Sequence, residues 1–216
     1  MKLKYAVWDF NGTILDDSWA SLAAVNSMLE SRGMDRMDFQ KYGSLIETPI
    51  IRFYEKTFDL GKIPFETLLE EFEAGYAQNS GLVRLADGIN EVIYGLDGMG
   101  VRQVILSSLQ GRAIEGWLEA FGISRYFESV LGALDNLAGE KTARGLKWAR
   151  AAGAGSANCV MIGDTLHDLE ASRKMGVGCI MAAWGHQDKA LLRGCGAPLA
   201  ASPQNILPLM EKMGLL

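Results

Sequence analysis

The chain has 216 residues, 49% of them hydrophobic and 22% charged, with a formal net charge of −5. That size and apolar share suit a globular chain with a sizeable core. The mildly acidic balance leaves no electrostatic footprint for nucleic acid or an anionic membrane surface, and no apolar run approaches the roughly 20 residues needed to cross a bilayer. Met1-Lys2-Leu3-Lys4 leads straight into a short strand rather than a secretory leader. Cys159, Cys179 and Cys195 show neither CxxC spacing nor histidines at zinc spacing, so they read as free thiols. The expected setting is reducing and cytoplasmic.

The first strand is predicted over Tyr5 to Trp8, ending at Asp9-Phe10-Asn11-Gly12-Thr13. From about Asp16 to about Gly81 the patterns are helical only: Trp19 to Ser31, a middle helix around Thr48 to Thr57, and Phe65 to Ala77. The simplest account is a helical subdomain, residues 16–81, inserted after the first strand, with residues 1–15 and 82–216 forming the main domain. Ile89, Val92, Ile93 and Leu96 then make a helical stripe with Asp87 as N-cap and Gly98 near its end. Ile114, Trp117, Leu118 and Phe121 repeat the stripe and stop at Gly122. Further strands are predicted at Gln103 to Leu106, Ser129 to Leu131, Cys159 to Ile162, Gly178 to Met181 and Pro198 to Ala200. Ser202-Pro203 opens a last helix. Strand–helix alternation argues an α/β fold, a Rossmann-like parallel sheet with helices on both faces.

In such a sheet, ligands bind beyond the carboxyl ends of the strands. The polar residues there form a set. Asp9 and Thr13 follow the first strand, Ser107-Ser108 the second, Lys141 opens a helix after Gly139-Glu140, and Gly163-Asp164-Thr165 with Asp168 follow the fourth. Carboxylates at Asp9 and Asp164 suit Mg²⁺, which prefers oxygen ligands. Hydroxyls, turn N–H groups and a lysine suit a phosphate. Taken singly, Asp168 reads equally well as a helix cap, Ser107 and Ser108 as a turn, Lys141 as a solvated lysine and Thr13 as a packing residue. His167 and His186 have no partner that can be named and default to surface or packing roles.

Asp9-Phe10-Asn11-Gly12-Thr13, Ser107, Lys141 and Gly163-Asp164-Thr165-x-x-Asp168, in that order, make the whole chain resemble the haloacid dehalogenase superfamily, and within it the phosphoglycolate phosphatase-like branch. The resemblance implies that residues 16–81 are a cap. It implies a Mg²⁺-dependent phosphatase acting on a small phosphorylated metabolite, with Asp9 as the nucleophile forming an aspartyl-phosphate. Ser107 and the Ser108 backbone would hold the phosphoryl group, Lys141 would steady both, and Thr13 would support the turn. Asp9, the backbone carbonyl of Asn11, Asp164 and Asp168 would surround the metal.

Asn11 departs from the pattern. The family has aspartate there as general acid and base, and an amide has no proton to exchange. General acid–base catalysis contributes roughly 10²–10⁴-fold, so slow turnover with accumulation of the phosphoenzyme is expected. Other readings stay open: a phosphonatase- or dehalogenase-like member, for which Lys41, Lys56 and Lys62 are the candidate cap lysines; a non-catalytic phosphometabolite sensor; or an engineered or deamidating Asn11-Gly12. The loop from Tyr42-Gly43-Ser44 through Thr48-Pro49 is expected to face the site, with hinges near Asp16-Asp17 and Gly81; Arg52 is available to a substrate carboxylate but reads more simply as a solvated arginine. Oligomeric state is unreadable.

Overall fold

The computed structural model describes residues 3–133 and 141–216. Gly139-Glu140, expected just before the Lys141 helix, lies outside the described residues. Six parallel strands form the main sheet: β1 (Tyr5–Trp8), β4 (Arg102–Gln110), β5 (Ser129–Ala133), β6 (Cys159–Gly163), β7 (Gly178–Ala182) and β8 (Leu199–Ala200). Their spatial order is β5-β4-β1-β6-β7-β8. β1 is central, paired with β4 (Val7 opposite Val104) and with β6 (Val7 opposite Met161). All four of its residues are buried, which is why it reads as an unbroken apolar run rather than an alternating one. The winding direction reverses between β1 and β6, and that crevice is where a doubly wound sheet binds its ligand.

The two faces of the sheet are packed separately. Ala6, Trp8, Ile105, Val160 and Ile180 share one apolar cluster with α5 (Ile89–Gly98), α6 (Gly111–Ala120) and α10 (Ile206–Lys212). Tyr5, Val7, Leu106 and Met161 share another with Ala149 of α7 (Lys141–Ala152) and with Ala171 and Met175 of α8 (Leu166–Met175). Residues alternate between the clusters along β1, as a period of two requires. On the first face, the side-chain amide of Gln103 ties β1 to α5, accepting from Trp8 Nε1 at 3.0 Å and donating to the Ile93 carbonyl at 3.0 Å.

Four helices lie between the first strand and the rest of the sheet: α1 (Ser18–Glu30), α2 (Phe39–Leu45), α3 (Ile51–Thr57) and α4 (Phe65–Gln78). They enclose an apolar cluster of their own, centred on Leu22, Val25, Met28, Phe53 and Leu68. α2 was not among the expected helices. Its seven residues are too few to show periodicity, and its start is set by Asp38, whose carboxylate accepts from Lys41 N at 2.7 Å. The middle helix starts at Ile51, not near Thr48, because a residue before proline is steered away from helical backbone.

The stretch after Asp16 is not purely helical at its margins. β2 (Leu15–Asp16) and β3 (Arg84–Leu85) pair antiparallel where the chain leaves and rejoins the sheet, fastened by Arg84 Nη2 on Asp16 Oδ2 at 2.6 Å. Asp87 is not the cap of α5; Gly88 is, at φ +82°, a conformation natural to glycine. β4 continues past Leu106 to Gln110 with a register shift, so Ser107 and Ser108 sit in an irregular strand end rather than a turn. Ser202-Pro203 opens a short 3₁₀ turn, Pro203–Asn205, that runs into α10. A five-residue helix, α9 (Lys189–Arg193), was not expected.

Candidate active site

Asp9 leaves β1 at the crevice and is buried. Its Oδ1 accepts from Lys141 Nζ, and the same ammonium donates to Asp168 Oδ1 at 2.6 Å. Lys141 is the first residue of α7 and is itself buried, its charge spent wholly on two carboxylates. Burial alone would lower the Lys141 ammonium, but Asp168 and Asp9 raise it, so it stays protonated. Asp164 follows β6. Its Oδ1 accepts from Thr13 Oγ1 at 3.2 Å and its Oδ2 from the backbone N–H of His186 at 2.7 Å.

Asp168 is the helix cap that was one of the two roles weighed for it, and it also holds Lys141. Its Oδ2 caps α8, accepting from Thr165 N at 3.0 Å and Thr165 Oγ1 at 2.7 Å, while Oδ1 holds Lys141. Oxygens of Asp9, Asp164 and Asp168 lie within 4.8 Å of one another. Three buried carboxylates thus face one ammonium. Burial pushes the Asp9 carboxyl well above its ordinary range, with Lys141 opposing and Asp168 and Asp164 reinforcing. Burial likewise pushes Asp164 up to about 6. An all-oxygen cluster with excess negative charge, tight enough to share one ion, is a donor set that fits a small hard cation.

Glycines make the convergence possible. A Cβ on Gly12 (φ +71°) would lie 2.3 Å from Asp164 Oδ2, and one on Gly185 would lie 2.2 Å from the same atom. Ser107 and Ser108 reach the same cavity from the end of β4. Ser107 Oγ accepts from Leu109 N at 3.1 Å, and its carbonyl accepts from Arg144 Nη2 at 2.8 Å. Asp9, Asn11, Ser107, Ser108, Lys141, Asp164 and Asp168 all line one cavity of about 620 Å³, and Thr13 stands behind Asp164.

Asn11 is not idle. Its Nδ2 donates to Asp17 Oδ2 at 2.6 Å, and Asp17 also receives Gly12 N (2.8 Å), Tyr76 OH (2.9 Å) and a contact from His186 Nε2 (3.1 Å). Asp17 precedes α1 but makes no side-chain cap to it; its carboxylate is committed to this hub instead. Burial would raise the Asp17 carboxyl, yet His186, Asn11 and Gly12 hold it below the ordinary range. Burial would lower His186, but Tyr42 and Asp17 keep it well above its ordinary value, so the pair is an ion pair. His186 Nδ1 meets Tyr42 OH at 3.1 Å.

This corrects the default surface or packing role given to His186, whose partly buried ring lies between Asp17 and Tyr42 of α2. Asp17, read only as a hinge, and Tyr76 were likewise missed as site residues. The available signal was positional: His186 follows the end of β7 as Asp9 follows β1, and the strand-end rule extends to it. His167 also lines the cavity, with Nε2 buried and unbonded, and burial lowers its pKa.

The stretch expected to face the cavity does so, through Tyr42 of α2 and through Ile46, Glu47 and Thr48 of the loop after it. Across the gap Gln187 Nε2 donates to the Ile46 carbonyl at 2.9 Å, and Asp188 N to the Gly43 carbonyl at 3.2 Å. Arg52 does not face it: it pairs with Glu55 at 2.8 Å on the surface. Lys41, Lys56 and Lys62 are also absent from the lining; Lys56 pairs with Glu47 and Lys62 with Asp59. No described helix is long and apolar enough to cross a membrane.

The chain is similar to known proteins along most of its length. The chain is 25% identical over 190 residues to a 5'-nucleotidase of Pseudomonas aeruginosa, covering 87% of this chain and 86% of that one. It is 24% identical over 210 residues to a phosphoglycolate phosphatase of Synechococcus elongatus, covering 96% and 97%. A haloacid dehalogenase-like hydrolase of Streptococcus pneumoniae superposes with a TM-score of 0.82 at 16% identity, covering 97% of this chain and 99% of that one, a likeness of fold. Residues 6–182 match the family described as haloacid dehalogenase-like hydrolase, and the chain belongs to that family.

Proposed function

We propose that the chain is a phosphoric monoester hydrolase in which Asp9 is the nucleophile. The observation that carries this reading is Lys141 Nζ bridging Asp9 and Asp168 beside Asp164, all buried at the carboxyl ends of β1 and β6. Asp9 attacks phosphorus and the alkoxide leaves, giving an aspartyl-phosphate; water then attacks that phosphorus and regenerates Asp9. Ser107 Oγ and the Ser108 N–H hold non-bridging oxygens, and Lys141 offsets their growing charge. Asp9, Asp164 and the Asn11 carbonyl, with Asp168 beside them, are the groups that would hold Mg²⁺, which when bound would supply further positive charge to the phosphoryl oxygens. With the cavity roofed by α1–α4, residues 16–81 act as a cap that admits a small phosphorylated metabolite and excludes bulk water.

Both steps need proton transfer, and the Asn11 amide cannot provide it. Its Nδ2 is moreover tied to Asp17. Turnover is therefore slow, and dephosphorylation, which lacks its base, is slower than the first step. The test is phosphate release with Mg²⁺, with burst-phase kinetics and acid-stable labelling of Asp9. A burst of about one product per chain followed by a slow steady state is expected. The same tie favours a second reading, a phosphometabolite sensor without turnover. That reading predicts stabilisation by ligand and Mg²⁺ but neither burst nor labelled Asp9.

A further inference from the structure

The cavity's chemistry narrows its substrate. Away from the carboxylate cluster its wall is apolar and aromatic: Val25, Ile50, Phe53, Leu69 and Phe72 from the helices and Trp117 from α6. Lys141 is the only lysine or arginine lining it among the described residues, and Lys141 is already spent on Asp9 and Asp168. The acidic groups outside the cluster are Asp17, Glu47 and Glu73. The His186 ring is committed to Asp17 and Tyr42, and Arg52 is turned away onto Glu55. Asp17 is paired with His186 and Glu47 with Lys56, so a second anionic group on a substrate would meet apolar surface and charges already engaged, an unfavourable exchange for its hydration. A cavity of about 620 Å³ is also large for a two-carbon acid, within the range that encloses a ring-bearing molecule.

We infer, resting on the phosphatase reading above, that the substrate is the phosphate monoester of an uncharged, ring-bearing alcohol, and that phosphoglycolate is a poor substrate. The ring packs against Phe72, Ile50 and Trp117 while the phosphate meets Ser107, Lys141 and the cation site. The acid-bearing alternative would be favoured by an arginine or lysine on the helical side of the cavity, and the described lining has none there.

Two primary alkyl phosphates, 2-phenylethyl phosphate and phosphoglycolate, test this with little difference in leaving group. With Mg²⁺, kcat/KM is expected to be at least about tenfold higher for 2-phenylethyl phosphate, and the Asp9→Asn chain should bind it correspondingly more tightly by calorimetry. Phe72→Ala should cut the preference by about tenfold while leaving phosphoglycolate nearly unchanged, and Ile50→Arg should shift it towards phosphoglycolate. Equal or better kinetics and binding with phosphoglycolate would overturn the inference and leave the phosphatase reading intact. Absence of phosphate release from both esters, together with no thermal shift from inorganic phosphate and Mg²⁺, would overturn the phosphatase reading and this inference with it. If only binding is seen, the affinity ratio of the two esters decides the inference by itself.

Discussion

The two walls of the cavity are built by opposite means. On the sheet side, polar side chains are buried and held in place by partners: Asp168 takes three donors, Asp164 two, and Lys141 bridges two carboxylates. On the helical side the wall is mostly apolar, and its polar atoms reach the sheet through a few contacts, chiefly Tyr76 and Tyr42 around Asp17 and His186. The fixed wall can hold reacting atoms to within a fraction of an ångström, as chemistry requires. The other can change its packing without disturbing them, as selectivity requires. The division predicts that sheet-side changes act on the chemical step and helix-side changes on binding.

The largest effect is expected from Asp9→Asn. Removing the proposed nucleophile should lower kcat by at least about 10⁴-fold and abolish labelling of the chain by substrate phosphate. Affinity for phosphate should survive, because Ser107 and Lys141 remain. A variant that kept turnover within tenfold would remove Asp9 from the chemistry and erase the contrast between the walls.

Asn11→Asp comes next, and Asp17 complicates it. The Asn11 amide donates to Asp17 Oδ2 at 2.6 Å; a carboxylate there would set two buried like charges together, and one would have to take up a proton or move. The single variant is expected to gain about tenfold in steady-state turnover. Asn11→Asp with Asp17→Asn, which exchanges amide and acid, should approach the ~10²-fold scale of general acid–base catalysis. Equal rates for the single and double variants would show that Asp17 exerts no restraint on position 11.

The cation site makes a prediction in pH. Burial raises Asp164 to about 6, against about 4 for an unfolded aspartate. The folded, metal-free chain therefore keeps a proton there that the unfolded chain has lost. That contribution to stability is present at low pH and lost as pH rises from about 4 through about 6. The increment in Tm from Mg²⁺ should grow over the same interval, because the ion needs the carboxylate. At Mg²⁺ near 100 times its Kd the increment is about 2.7 kcal/mol, or roughly 5–10 °C for a chain of this size. Asp164→Asn should remove both the increment and this part of the pH dependence.

How legible each wall was in the sequence follows from the same contrast. The sheet strands declared themselves as apolar runs, and Asp9, Ser107, Lys141 and Asp164 stood at their ends in an order that matches one family. Asp17 and His186 escaped because nothing local marks them. They are 169 residues apart, and only the packing of α2 and α4 over the crevice turns an apparent hinge aspartate and a stray histidine into an ion pair. α2 escaped for its brevity, and the β2–β3 ribbon because two residues show no period. Arg52 was legible: its charge allowed a substrate contact but read more simply as solvated, and its place on α3 turns it to solvent.

The smallest expected effect tests the helical wall directly. Tyr76→Phe removes one donor from Asp17 Oδ2 and leaves the Asn11, Gly12 and His186 contacts in place. A hydrogen bond to a charged acceptor is worth about 1.5–3 kcal/mol when its loss strands the acceptor, and less here because other donors remain. A cost of about 1 kcal/mol is expected, a fall in Tm of about 2–4 °C. If Tyr76 only fastens the helices over the crevice, the variant should raise KM and speed hydrogen exchange in α4 while leaving the burst rate unchanged. A fall in the burst rate at constant KM would instead put Tyr76 with the chemical machinery, and the line between a reacting wall and a selecting wall would have to be redrawn around Asp17.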